Sequence, residues 1–374
     1  MNFKISKSVL YDSLQLVSKA ISSNSPLPAL SGVKIDVEKD KLVLTGSDAK
    51  VSIKKTLDNE KYEDLNLVVI EEGSIVIEAR YLLEIVRKID SNEISFEIID
   101  GSLIKIVGRQ TEYKINGMRS LDYPAIDFSK PNQIFTIDSS LLLKIINQTA
   151  FATSDRELRP VLTGVNFLIK DGVLECVATD SYRLAKKIVN VDTDLNINIT
   201  IPSKSLLEVA RAIESDELIT VALSDKKAQF YIGSTLIQTN LIDGEYPETK
   251  RLIPTTFEHI LTIDAREIVN AIDRAVFIKN EGVSIIKLTL SQEEAVISSK
   301  SQEVGSLEEV LNIDSYEGSE FNISFSGNYM LDAIRYLGAT KIRIKFAGEM
   351  KPFIIDNEED SSILQLVLPV RTYN

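Results

Sequence analysis

Cys176 and His259 are the only cysteine and the only histidine in 374 residues, and this removes most reaction chemistries from consideration. One thiol cannot form an intrachain disulfide, and on a predicted strand it reads as an inert core group. One imidazole with no second histidine nearby supplies neither a metal-binding set nor a Ser/His/Asp triad, so a linker or surface role is expected for His259. Asp192, Asp194 and Asn196 have the oxygen spacing that opens an EF-hand loop. Ile197 stands where that loop needs a glycine, so the run reads as a solvated connection. There is no Gly-rich phosphate loop and no GxGxxG. The pattern points to a binding protein, with no cofactor, no metal and no catalytic set.

The elements that would position binding residues come in threes. LLEIVR at 82–87 returns as LLEVAR at 206–211 and as MLDAIR at 330–335, a constant step of 124 residues. Each copy keeps its apolar residues on one helical face, for example Leu82, Leu83, Ile85, Val86 and Ile89. An alternating strand follows each helix, around Ile94 to Ile98, Leu218 to Leu223 and Ile342 to Phe346. An earlier helix in each unit is predicted over 6–21, 138–151 and 264–277, starting at the capping residues Ser6, Asp138 and Asp264. Asp264 with Glu267 reads as a capping box. Between the two helices lies a strand pair, at 32–48, 164–180 and 283–299. DYPAID at 122–127 and EYPETK at 245–250 mark the seams, giving domains 1–129, 130–254 and 255–374.

Units of roughly 125 residues are large enough to bury a core each. No apolar run reaches the roughly 20 residues needed to cross a bilayer, and the N-terminus lacks a secretory pattern, so a cytoplasmic protein is expected.

LPALSG at 27–32, RPVLTG at 159–164, ATDSYRLA at 178–185, DGEYPETKRLIP at 243–254 and LVLPVR at 366–371 carry a specific resemblance. Over its whole length the chain is similar to the bacterial DNA sliding clamps, the beta subunits of DNA polymerase III. The resemblance implies an α+β fold of three tandem clamp domains, each with two helices packed on antiparallel sheets, closing as a dimeric six-domain ring around double-stranded DNA. It implies a processivity factor in DNA replication that tethers the replicative polymerase, the clamp loader and repair proteins through short linear peptides.

A net charge of −13 sits oddly with a DNA partner. A ring held by topology needs only a modest positive lining, and an acidic exterior repels non-specific contact with DNA. Arg80, Lys204 and Asn328 recur at the start of each second helix at the 124-residue step, where helix N-termini also favour phosphate. The resemblance makes Arg80 and Lys204 bore residues, and adds Lys7, Gln15, Arg159, Arg251 and Tyr329. Asn24 and Asp12 stand where relatives often carry basic groups, which should weaken DNA contact there.

Apolar residues in surface segments form a second candidate site. By resemblance the partner-peptide pocket would comprise Leu162, Thr179, Tyr182, Arg183, Leu184, Pro247, Leu252, Leu366, Leu368, Pro369, Val370 and Arg371. Such a groove suits an extended peptide with one or two apolar anchors. For the subunit interface, Phe277 and Ile278 end the third domain's first helix. Tyr113 and Ile115 alternate on a strand with no evident partner in its own repeat. The resemblance pairs strand 112–117 with the segment from Leu307 to Leu311 across a homodimer. Two other readings stay open: a triplicated monomeric adaptor that binds proteins and no DNA, and an enzyme using an inter-domain carboxylate pair of raised pKa.

Overall fold

The computed structural model describes residues 1–22, 25–156, 158–279 and 282–371, so Asn24 lies outside the described residues. Among them six helices occur: α1 (Lys7–Val17), α2 (Ala79–Lys88), α3 (Ser139–Thr149), α4 (Ser203–Ala212), α5 (Ala265–Ala275) and α6 (Gly327–Leu337). None is long and apolar enough to cross a membrane. Strands and helices sort into two compact units, Met1–Ser140 with Glu208–Leu241, and Leu141–Leu207 with Ile242–Asn374.

Local chemistry explains the helix ends. α2 buries Ala79, Leu82, Ile85 and Val86 and places Arg87 and Lys88 in its last turn, where the helix dipole favours cations. Asp264 caps α5 by accepting from the backbone N–H groups of Arg266 and Glu267. The return half of the expected capping box is not made. Glu267 Oε1 instead accepts from the backbone N–H of Asn312 at 3.0 Å and from its side chain at 3.1 Å, because a strand end lies within reach. Ser6 precedes α1 without a side-chain cap bond, and the helix gives way to a 3-10 turn at Ser18–Ala20, short of the predicted end at 21. Gly338 ends α6 in the left-handed region at φ 73°, a conformation that costs glycine nothing.

In the first unit a nine-stranded antiparallel sheet has two halves. Strands Gly32–Glu38, Lys41–Ser47 and Val51–Asp58 form one side, and Thr235–Asn240, Lys227–Ile232 and Leu218–Leu223 form the other. The halves join where Val51–Asp58 pairs with Thr235–Asn240, with Ile53 opposite Ile237. The second unit repeats this plan. Gly164–Lys170, Val173–Thr179 and Arg183–Asn190 join Ile363–Val367, Phe353–Asp356 and Lys341–Phe346 through the Arg183–Asn190 and Ile363–Val367 strands, with Leu184 opposite Leu366.

Two smaller sheets end on open strands. In the first unit, Glu112–Asn116 is the last strand of a five-stranded sheet and pairs with Leu103–Val107. A partner for Tyr113 and Ile115 therefore does exist within their own repeat, and it is the strand's other side that is free. In the second unit, Gly305–Leu311 is the last strand of a four-stranded sheet and, among the described residues, pairs only with Ala295–Ser301.

The core of the third repeat packs α5 and α6 against Ile286, Leu288, Phe325, Ile344 and Phe353. His259 departs from expectation. It opens strand His259–Asp264, is only 6% exposed, stacks on Phe321 at 4.2 Å and bonds through Nδ1 to the Tyr316 hydroxyl at 2.7 Å. A ring partner supplied 57 residues away makes burial of a lone imidazole favourable. Cys176 is fully buried, which pushes its thiol pKa up. Asp192 to Asn196 lie in an exposed connection.

Candidate peptide pocket and charged helix starts

The second sheet joint carries a small apolar cluster distinct from the main core. Leu184 and Leu366, 2% and 3% exposed, pack with Val177 and Ile354, and Leu368, Tyr246, Ile253 and Phe257 close around them. Leu184 and Leu366 are thus buried floor residues, because a strand joint covers what looked like surface sequence. Thr179 fixes the bend above them: its Oγ1 donates to the carbonyl of Arg183 at 2.6 Å, and its backbone N–H donates to the Tyr246 hydroxyl at 3.1 Å. Burial raises the Tyr246 pKa well above the usual phenol value. The C-terminal segment is stitched down by Leu368 N–H to Tyr182 O at 2.9 Å and Val370 N–H to Ser324 O at 2.7 Å, with Pro369 bridged to Phe325.

Arg183 organises the rim. Its guanidinium donates to Asp180 at 3.0 Å, Asp332 at 2.5 Å and the carbonyl of Phe151 at 2.8 Å, and lies over the rings of Phe151 and Tyr329. Tyr182 is exposed and stacks near Tyr329 at 6.3 Å. Tyr329, expected beside DNA, is half-buried in this network. Pro247, Leu252 and Arg371 are exposed and Leu162 is buried in the 3-10 turn Pro160–Thr163, and none of the four belongs to the apolar cluster. Sequence reading missed Val177, Ile354, Ile253 and Phe257, and used Tyr246 only as a seam marker. The continuous apolar run of FIID at 353–356, the mark of a strand buried on both faces, was the available signal for Ile354.

The helix starts are where the repeat step puts them. Arg80, Lys204 and Asn328 are each the second residue of α2, α4 and α6, and each is exposed. Arg80 lies over the Tyr81 ring and donates to its hydroxyl at 2.7 Å, with Glu78 at 3.4 Å. Lys7 Nζ donates to the carbonyl of Ile89 at 2.7 Å, which ties it to the end of α2. Gln15 bonds the Tyr11 hydroxyl at 3.2 Å, and Arg251 is exposed and pairs with Glu248 at 3.3 Å. Arg159 and Asp12 are exposed.

Family profiles match nearly all of the chain: the N-terminal domain of the DNA polymerase III beta subunit over residues 1–127, its central domain over 136–248 and its C-terminal domain over 250–371. The chain belongs to the bacterial DNA sliding-clamp family. Among sliding clamps, the beta sliding clamp of Bacillus subtilis is 38% identical with both chains covered in full, and that of Staphylococcus epidermidis is 36% identical over the same extent. The crystal structure of the DNA polymerase sliding clamp from Bacillus subtilis superposes with a TM-score of 0.95 at 37% identity over both complete chains. The sliding-clamp fold, α+β with tandem repeats, is therefore that of this chain.

Proposed function

We propose that this DNA sliding clamp works as a non-catalytic homodimeric ring of six domains, divided in each chain at about residues 129 and 254, in the cytoplasm. The observation that carries this reading is an unfilled joint. Three strand triplets end in Val51–Asp58, Arg183–Asn190 and Gly305–Leu311, and the first two are continued by Thr235–Asn240 and Ile363–Val367. The third triplet ends open, and Glu112–Asn116, the counterpart of the two continuing strands, is open as well. A second copy supplies each missing partner, so that a two-fold dimer closes both joints and leaves no raw edge. Phe277, exposed beside the end of α5, then lies at the contact, as do Tyr113, Ile115 and Leu307.

Arg80, Lys204 and Asn328 face duplex DNA in this reading, with Lys7, Gln15, Arg159 and Arg251 contributing, and retention is topological because the chain's net charge is −13. The Leu184/Leu366 pocket takes short linear peptides from polymerase, loader and repair proteins. Sedimentation should give twice the chain mass of 41.7 kDa at micromolar concentration. Loaded on closed circular DNA, the ring should survive a salt wash and leave when the DNA is cut once. A monomer, or loss from intact circles as fast as from linear ones, would favour the adaptor reading.

A further inference from the structure

The sheet joint that carries the peptide pocket has a counterpart in the other unit. At the first joint Ser47 Oγ donates to the carbonyl of Val51 at 3.0 Å, as Thr179 Oγ1 does to Arg183 at the second. One residue on, Ser52 faces Gln238 where Leu184 faces Leu366. A Tyr-Pro pair opens the adjoining linker in both, Tyr123-Pro124 and Tyr246-Pro247. The frame is built twice, and the pair at its floor changes from two leucines to a serine and a glutamine.

At the first joint this frame encloses a cleft of about 580 Å³, with Pro124 to Asp127 on one wall and Ser224 to Lys227 on another. Its lining carries three lysines, Lys50, Lys226 and Lys227, against two carboxylates, Asp127 and Asp225. Gln238 Oε1 is occupied by Gln229 Nε2 at 2.7 Å, which leaves the Gln238 amide N–H groups for a ligand. Lys227 is neutralised by Asp127 at 3.1 Å, but the exposed Lys50 and Lys226 ammonium groups have no partner among the described residues, against one similarly unpaired carboxylate, Asp225. Among the described residues the buried Tyr123 hydroxyl has no hydrogen-bond partner, whereas Tyr246 latches its linker to Thr179.

We infer that this cleft is a second peptide groove, selective for an extended segment carrying carboxylate side chains. The inference rests on the proposed peptide pocket for its shape, and on the cleft's own donors for its ligand chemistry. Donor amides and unpaired cations in a concave site favour charge-assisted bonds to carboxylates.

Three fluorescein-labelled probes at low ionic strength test it: a blocked hexapeptide of alternating glycine and glutamate, its glutamine counterpart, and a peptide ending in Leu-Phe. The glutamate peptide should bind with a dissociation constant on the order of 100 µM and the glutamine form at least roughly tenfold more weakly. The surface variant K50E/K226E should lose the glutamate peptide and keep the Leu-Phe peptide. S52L/Q238L, folded by circular dichroism, should lose the glutamate peptide and bind a second equivalent of the Leu-Phe peptide per chain. No binding of the glutamate peptide, or equal binding by K50E/K226E, would overturn the inference. So would a single Leu-Phe equivalent in folded S52L/Q238L when the wild type also binds one. If wild type fails to bind the Leu-Phe peptide, the proposed pocket falls, while the glutamate arm still decides the cleft.

Discussion

Arg183 and Asp332 meet at 2.5 Å, an ion pair that fastens the bend after Thr179 to helix α6, 149 residues away in sequence. The same guanidinium holds Asp180, so its removal leaves a poorly solvated carboxylate without its partner. Arg183→Ala should destabilise the protein by about 3 kcal/mol in urea unfolding, near the low end of breaking a mostly buried pair. Peptide affinity should fall with it. Asp332→Asn, which removes only the more exposed partner, should cost about 1 kcal/mol.

Phe277 and Ile278 are neighbours with opposite environments, 63% and 4% exposed. Phe277→Asp should give a folded monomer in sedimentation, since the side chain contributes little to its own domain. Ile278, which the resemblance also places at the interface, should not behave this way when changed to Asp. Its side chain is buried within its own chain, so the substitution should instead cost several kcal/mol of folding stability, seen as a lowered Tm in the monomer and dimer alike.

Deleting Leu368 through Asn374 removes the backbone bonds to Tyr182 and Ser324 and one wall of the apolar cluster. Binding of a Leu-Phe-ended peptide should drop at least roughly tenfold by anisotropy, with the dimer mass unchanged. Undiminished binding would place the pocket elsewhere.

Asp127 has a carboxyl pKa lowered to about 2, chiefly by the Ser129 hydroxyl and backbone N–H and then by Lys227. A folded-state pKa below the unfolded value near 3.8 gives stability that is fully present above that value and is lost as pH falls through about 2. The stability difference between wild type and Asp127→Asn should therefore be constant above pH 5 and shrink between about pH 4 and 2. A gap that widens on acidification would reverse the assignment.

Arg80→Glu with Lys204→Glu should slow loading and sliding on DNA more than escape from closed circles, because encirclement outlasts individual phosphate contacts. Retention on intact circles is the discriminating measurement.

Helices and hairpins were legible because their signals are local: the apolar face of LLEIVR and its two repeats fixed three helices, and alternation fixed the strands that follow. The joints were not legible. Ile53 meets Ile237 and Leu184 meets Leu366 across more than 180 residues, and no local pattern records such a pairing. That is why Leu184 and Leu366 looked like stray surface leucines. The burial of His259 was illegible for the same reason, since Tyr316 and Phe321 complete its environment from two distant strands. Recurrent spacing placed Arg80, Lys204 and Asn328 correctly at helix starts, but could not show that Tyr329, next to the last of them, turns toward Arg183.

The middle third of the chain lends strands to two different nine-stranded sheets, Thr235–Asn240 to one and Arg183–Asn190 to the other. Excised as residues 130–254, it would carry two freshly cut sheet margins, each shaped to receive a strand of the kind the other presents. Such a fragment is a self-complementary building block, and its expected fate is head-to-tail self-association, into a closed six-membered ring where the rotation per joint matches that of the proposed dimer, and not a soluble monomer.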